Sequence, residues 1–498
     1  MDRPYTLGID QGSSGSRALV LDADGRALGY GYQSVPRHYP RPGWVEQRHD
    51  EIAGSVATSI HEAMAHAQVR ANQVAAIGIT TQRDTVFAWD AATLQPIGNA
   101  ITWQDLRTVA LVEEVNLSPL AGQRRERLGQ FPGAYASAMH MAWRMRHDPA
   151  FRAAADAGRL QVSLAAGWIV RALGASYDHA LDYSLMQAMT VFDFRYKRLW
   201  DEWIEYLDIP RAALPRAVPT NHAFGEIELT DAFGGRALVP VLAMITDQQA
   251  ALFGHDCRRR GEAACTHGTA SFVNVVVGSE PPPQGTPKVY LGWELGGVPT
   301  YCLEADTTVT GAVIRWMQEQ MGWIARSADL GPLAASVPDS AGVVFAPAFT
   351  GFGVPLEDRT ARGTLLGLTL DTSPAHIARA FLESIGYQLR DILDCMRAEA
   401  GLDIQELKIG GGISASELAC QLQADVLGIP VRRSSEAETG VRAAALLAGL
   451  GAGVWPQFDA LPPLGGESRL FEPDWSQSER EARLAHWHRA VERARGWA

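Results

Sequence analysis

The chain has 498 residues, 47% of them hydrophobic, and sets 44 Lys and Arg against 56 Asp and Glu for a formal net charge of −12. That length exceeds one typical domain, so two or more domains around a large core are expected. The acidic balance argues against nucleic acid or an anionic membrane surface as partner, and five scattered cysteines without a C-x-x-C pair exclude a disulfide framework or a zinc site as the organising device.

In chain order, Met1-Asp2-Arg3-Pro4 lacks a basic segment followed by an apolar core, and no run of about 18 uncharged apolar residues follows anywhere. A soluble protein of the reducing cytoplasm, with no membrane insertion, is the expectation. Strand patterns at Thr6 to Ile9 and Ala18 to Leu21 flank Asp10-Gln11-Gly12-Ser13-Ser14-Gly15-Ser16. Gly12 and Gly15 allow the backbone to approach an anion, Ser13, Ser14 and Arg17 add donors, and Asp10 can hold a cation, although an ordinary hairpin has the same pattern. Asp22-Ala23-Asp24-Gly25 is a second hairpin signal. Ile52, Val56, Ile60, Ala63 and Met64 recur at helical spacing after Asp50, a cap candidate, and Val74 to Thr80 reads as a buried strand.

Thr81-Gln82-Arg83-Asp84 follows that strand, at the end where α/β sheets place ligands, and offers a donor fork beside an acceptor suited to vicinal hydroxyls. Trp103 and Tyr135 supply aromatic surface for the C–H face of a polyol, or core packing. After the strand Leu238 to Met244, Asp247-Gln248-Gln249 puts a carboxylate and two amides ahead of an Ala-rich helix. Asp247 is either a helix cap or the acceptor that a hydroxyl needs when it attacks a phosphate. The segment Ala264 to Gly278 echoes the amino-terminal strand, small-residue turn and strand, so the two halves open alike. Gly410-Gly411-Gly412 follows a strand and precedes the helical run Leu418 to Leu427, and Thr439 to Gly451 reads as a tightly packed helix. The alternation is α/β, and without a low-complexity linker the halves are expected to be a hinged pair around a ligand cleft.

Taken in order, Asp10-Gln11-Gly12-Ser13-Ser14, Tyr39 to Glu46, Ile77 to Arg83, Asp247 to Gly254, Pro347 to Gly351, Ala361-Arg362-Gly363 and Gly411-Gly412 resemble the FGGY carbohydrate kinases over nearly the full length, and among them the members that act on glycerol. The resemblance implies a two-domain, actin-like (ribonuclease H-like) α/β ATPase fold with a central cleft. Residues 1–250 would form the polyol-binding domain with the phosphate hairpin, and 251–498 the nucleotide-binding domain. It implies ATP-dependent phosphorylation of a primary hydroxyl of a small polyol, glycerol first, with ATP and Mg²⁺ as cofactors and a homo-oligomer of two or four copies. Carried over by position, Asp247 is the catalytic base, and Arg83, Asp84, Trp103, Tyr135, Asp247, Gln248 and Phe272 line the polyol pocket. Asp10 holds magnesium, Ser13, Ser14 and Arg17 meet the transferred phosphate, and Gly268, Thr269, Gly311, Gly411, Gly412 and Ser416 bind the nucleotide.

Four positions depart from that family pattern. Asp84 stands where the glycerol-acting members carry Glu, withdrawing the carboxylate by roughly 1.5 Å and making room for a longer polyol or a bridging water. His140 replaces a Lys, the run Leu303-Glu304-Ala305-Asp306-Thr307-Thr308 departs from a Leu-Glu-Gly pattern and brings an extra carboxylate near the cleft, and Arg315 replaces a Gln beside the nucleotide. A kinase of four- or five-carbon polyols or ketopentoses is the alternative, as is an actin-like ATP-binding sensor without sugar chemistry. Gly234-Gly235-Arg236 resembles part of a loop through which some members bind fructose bisphosphate.

Overall fold

The computed structural model describes residues 4–283, 285–463 and 468–498, so the reading of the first three residues lies outside it. In the first half, β1 (Tyr5–Gln11), β2 (Gly15–Leu21), β3 (Ala27–Ser34), β4 (Val74–Thr81), β5 (Gly174–Tyr177), β6 (Gly225–Thr230) and β7 (Arg236–Thr246) form one sheet in the order β3-β2-β1-β4-β7-β6-β5. In the second half, β8 (Ala263–His267), β9 (Ser271–Gly278), β10 (Lys288–Leu295), β11 (Val298–Asp306), β12 (Leu407–Gly411), β13 (Val431–Ser434) and β14 (Ser468–Phe471) form another, in the order β10-β11-β9-β8-β12-β13-β14.

The two sheets repeat one plan. β1 pairs antiparallel with β2 and parallel with β4, and β4 pairs parallel with β7. Likewise β8 pairs antiparallel with β9 and parallel with β12, and β12 pairs parallel with β13. The echo read in the sequence is therefore an echo of topology. β1 and β4 are apolar on both faces, as strands of a covered parallel core must be.

The helices that matter for the site are α1 (His49–Ala67), α2 (Ser137–His147), α3 (Asp247–Gly254), α4 (Gly311–Glu319), α5 (Pro374–Ala400), α6 (Glu417–Leu427) and α7 (Thr439–Gly451). Asp50 does not cap α1: the helix begins at His49 after Arg48, and Asp50 sits in the first turn, where a negative charge favours the helix dipole. Although α7 belongs to the second half of the chain, it lies against β1, β4 and β7 of the first sheet. Glycines make that seat possible. A Cβ on Gly8 would stand 2.0 Å from the Val441 carbonyl oxygen, and one on Gly78 only 1.9 Å from that of Ala444. One apolar cluster then runs from Leu21, Ala76 and Ile245 of the first sheet through Leu446 and Leu447 of α7 to Val276 and Trp293 of the second. Among the described residues, no helix is long and apolar enough to cross a membrane.

Candidate active site

Register places the first group of side chains. Along the parallel strands β1, β4 and β7, Gln11 is level with Thr81 and Thr81 with Thr246, so the residues just past each carboxyl end share one mouth. Ser13, Arg83 and Asp84, and Asp247 and Gln248 all lie there, with Asp10 one residue inside the end of β1. In the second sheet His267 is level with Gly411, which brings the Gly268 turn beside Gly412.

A cavity of about 430 Å³ gathers Ser13, Arg83, Asp84, Trp103, Tyr135, Asp247, Gln248 and Phe272, together with Gln130, Lys288, Tyr290 and Asp306. All seven residues expected at a polyol pocket are in its wall. Arg83 organises it: Nε lies 3.5 Å from Asp247 Oδ1, and Nη2 donates to Glu304 Oε1 at 3.0 Å. The guanidinium also lies 4.9 Å from the centre of the Tyr290 ring. Burial opposes its charge, but Glu304, Tyr290 and Asp247 together hold the Arg83 proton more firmly than usual. Arg83 Nη1, Gln248 Oε1 and Glu304 Oε2 are buried polar atoms without a protein partner, a costly condition that a bound polar ligand and its water relieve.

Asp247 is the first residue of α3, behind Thr246, and its side chain keeps about a third of its surface open, 35%. Enclosure raises its carboxyl above the ordinary range, Arg83 opposes this, and Glu304 adds to it. Asp84 is nearly buried and takes a positive φ of 59°, with Oδ1 accepting from the Ser137 N–H at 3.4 Å; burial pushes its carboxyl up to about 7 against the pull of Arg83. Trp103 Nε1 donates to Ser13 Oγ at 2.8 Å and so fixes the indole across the mouth.

At the β1–β2 turn Arg17 lies 3.5 Å from Asp10 and 3.2 Å from Glu438, the residue that opens α7. Burial lifts the Asp10 carboxyl to about 7; Arg17 counters this, whereas Asp247 and Glu438 add to it. Ser14 is exposed, and its carbonyl accepts from the Val35 N–H.

A second cavity, about 690 Å³, is lined by His267, Gly268, Gly311, Gly412 and Ser416, with Leu330, Gly331 and Leu382 on its apolar side. One hairpin serves both cavities: β8–β9 contributes His267 and Gly268 to one and Phe272 to the other. Gly311 approaches so closely that a Cβ would lie 2.6 Å from the Gly268 carbonyl oxygen, and Gly411, at φ 90°, would put one 2.1 Å from that of His267. Ser416 caps α6 by accepting from the Ala419 N–H. Thr269 is exposed and its carbonyl accepts from the Thr310 N–H; neither it nor Gly411 is in the cavity wall, where they shape the neighbouring backbone instead. Arg315 is exposed on α4, and the adjacent Ile314 lines the cavity. His140 is buried in α2 with Nε2 bonded to the Ala134 carbonyl, away from the wall. Gly234-Gly235 is a hairpin turn tied by the Asp231 carboxylate, and Arg236 pairs with Glu228 at 3.1 Å.

Sequence reading missed Gln130, Lys288, Tyr290 and Glu438, and gave Glu304 no role. Lys288 and Glu304 are opposite one another on β10 and β11, and Phe272 is opposite Asp306, so one face of the second sheet supplies a whole wall. The alternation Lys288-Val289-Tyr290, polar or aromatic residues either side of a buried Val, was the available signal.

The model of the FGGY family of carbohydrate kinases matches in two parts, its N-terminal domain over residues 5–254 and its C-terminal domain over 263–452. A glycerol kinase of Symbiobacterium thermophilum is 40% identical over 500 residues, covering all of both chains, and one of Aromatoleum aromaticum is 41% identical over 495 residues, covering 99% of each. Among solved structures, Plasmodium falciparum glycerol kinase with ADP superposes with a TM-score of 0.91 at 24% identity, covering 98% of each chain. A xylulose kinase from Brucella ovis gives 0.84 at 21% identity, again over 98% of each. The fold is that of the two-domain, actin-like α/β ATPases, and the chain belongs to the FGGY family of carbohydrate kinases.

Proposed function

We propose that this kinase transfers the terminal phosphoryl group of ATP to a primary hydroxyl of glycerol, giving glycerol 3-phosphate and ADP. The observation that carries the reading is the single mouth holding Asp247, Arg83, Asp84, Trp103 and Tyr135 beside the glycine-lined cavity. Glycerol lies in the smaller cavity, its hydroxyls between Arg83, Asp84 and Gln248 and its C–H face on Trp103. ATP occupies the larger one, its phosphates directed at the β1–β2 turn. The hydroxyl oxygen forms the new bond to the terminal phosphorus, the bond from that phosphorus to the bridging oxygen breaks, and the hydroxyl proton passes to Asp247. A carboxyl lifted by burial is a better proton acceptor than a free one, and Arg83 keeps it ionised and aimed. Arg17, Ser13 and Ser14 meet the moving phosphoryl group, which demands positioning and charge stabilisation rather than covalent help.

Among the described residues no cluster of three His, Cys, Asp or Glu could enclose an ion. Asp10 fits magnesium of the kind held by one carboxylate, water and nucleotide phosphates, and the negative charge of Asp247 and Glu438 near it favours a cation there. Such an ion would neutralise charge on the phosphate oxygens. Residues 1–250 supply most of the acceptor side, with Phe272, Lys288, Tyr290 and Asp306 of 251–498 completing its wall, and 251–498 supply the nucleotide side. A cytoplasmic location, where ATP is available, and a homo-oligomer of two or four copies belong to the same reading.

The test is ADP release with ATP, magnesium and glycerol. Asp247→Asn should lower kcat by about 10² to 10⁴-fold, the range of a general base, with ATP affinity nearly unchanged by calorimetry. Retained turnover would refute the role of Asp247, and absence of any glycerol-stimulated ADP release by the parent enzyme would refute the proposed reaction.

A further inference from the structure

The acceptor cavity is larger than glycerol requires. Its 430 Å³ corresponds to roughly 14 water volumes, while glycerol has six heavy atoms. The second-sheet wall of this cavity carries Lys288 and Asp306, close to Tyr135 and Asp84. Lys288 Nζ is 3.8 Å from Asp306 Oδ1 and 6.0 Å from the centre of the Tyr135 ring. Among the described residues no protein atom accepts a hydrogen bond from this ammonium, which thus keeps three donors for a ligand. Asp306 is held in place, its Oδ2 accepting from the Thr308 N–H at 3.1 Å. A separation of 3.8 Å is too long for a direct hydrogen bond. It suits a hydroxyl that accepts from Nζ and donates to Oδ1. A carboxylate at the same spot would gain from Lys288 but face the Asp306 charge, so the zero net charge of the pair favours a neutral polyol over a sugar acid.

Resting on the phosphoryl transfer proposed above, we propose that Lys288 and Asp306 form a subsite for an additional hydroxyl, through which this kinase accepts four- and five-carbon acyclic polyols as well as glycerol. Lys288 is then a residue that sets acceptor length. It takes no part in the bond-making at Asp247.

The experiment measures ADP release with glycerol, erythritol, xylitol and gluconate, for the parent enzyme and for Lys288→Met and Asp306→Asn. The ratio of kcat/KM for xylitol to that for glycerol should fall about tenfold or more in Lys288→Met, the scale of one hydrogen bond to a charged group, with most of the change in KM. Asp306→Asn, which keeps the side chain's shape, should move the ratio in the same direction. The subsite is overturned if the parent enzyme turns over glycerol but neither erythritol nor xylitol, if gluconate outperforms xylitol, or if the variants lower both polyols equally. Activity on xylitol without activity on glycerol would support the subsite and refute glycerol as the substrate. If no acceptor is turned over, xylitol binding in the presence of ADP decides by calorimetry: a tenfold weakening in Lys288→Met supports the subsite, and unchanged binding overturns it.

Discussion

Gly78→Ala tests whether α7 is seated on the first sheet as closely as the structure has it. Gly78 is buried in the middle of β4, and its backbone lies outside the positive-φ region, so alanine meets no backbone strain there. The new Cβ instead lies 1.9 Å from the Ala444 carbonyl oxygen and 2.5 Å from its carbon. A carbonyl in mid-helix cannot rotate away as a side chain can. To restore an ordinary contact of 3.4 Å, α7 must retreat by about 1.5 Å, and a gap of that size forfeits much of the dispersion energy along Val441, Ala445 and Ala448. Overpacking against backbone belongs at the upper end of the usual range, about 3 kcal/mol, which for a unit of some 250 residues lowers Tm by roughly 6 °C or more. The damage should reach the chemistry. Glu438 leads into α7 and pairs with Arg17, so a displaced helix drags the β1–β2 turn, and a shift of about 1 Å there can cost on the order of 10²-fold in kcat. Gly440→Ala is the control within the same helix: nothing lies within 4 Å of its Cβ, and it should stabilise by about 0.5 kcal/mol. Thermal melting and ADP release are read side by side. If Gly78→Ala melts within about 2 °C of the parent and retains its kcat, the glycine seat is refuted.

Glu304→Gln removes a charge that raises the Asp247 carboxyl while leaving an oxygen to accept from Arg83, so the acid limb of the kcat/KM–pH profile should move to lower pH; an unmoved limb separates Glu304 from Asp247 electrostatically. His49 is buried with its Nε2 accepting from the Ala88 N–H, and burial lowers it to about 4 from 6.5. The unfolded chain therefore takes up the proton first, and the contribution of a neutral His49, intact above pH 6.5, is lost as pH falls towards 4, by about 3 kcal/mol in all. In His49→Gln, urea unfolding at pH 7 and pH 5 should show a smaller acid loss than in the parent, and an equal loss would refute the burial of a neutral ring.

What the sequence disclosed was whatever is decided locally. Turn chemistry within a few residues marks the β1–β2 hairpin, and the helix read at Thr439 to Gly451 has those bounds in the structure because its Ala-rich face and its glycines are consecutive in the chain. The run Leu418 to Leu427 likewise announces α6, which begins one residue earlier. The start of α1 was misplaced because a carboxylate one residue inside a helix looks, in sequence, like one at its cap. Pairings across the fold left no such local mark. Arg83 and Glu304 are 221 positions apart, and nothing in either neighbourhood says that they meet. Lys288 and Tyr290 sit in an unremarkable strand, and only the register of β10 against β11 turns them towards the cleft.

The register also explains why the chain can scatter its polar groups so widely and still assemble one mouth. Parallel strands whose ends are level must deliver their next residues to the same edge, so residues 13, 83 and 247 converge although about 230 positions separate the first from the last. The second sheet does the same for Gly268 and Gly412. Two such edges make a phosphoryl-transfer site only if they are held face to face, and that is the task of α7: its small residues let it press on glycines of the first sheet while its larger ones join the apolar cluster that reaches the second. Glycines in β1 and β4 are thus as necessary to the position of Asp247 relative to the nucleotide cavity as any side chain that lines it.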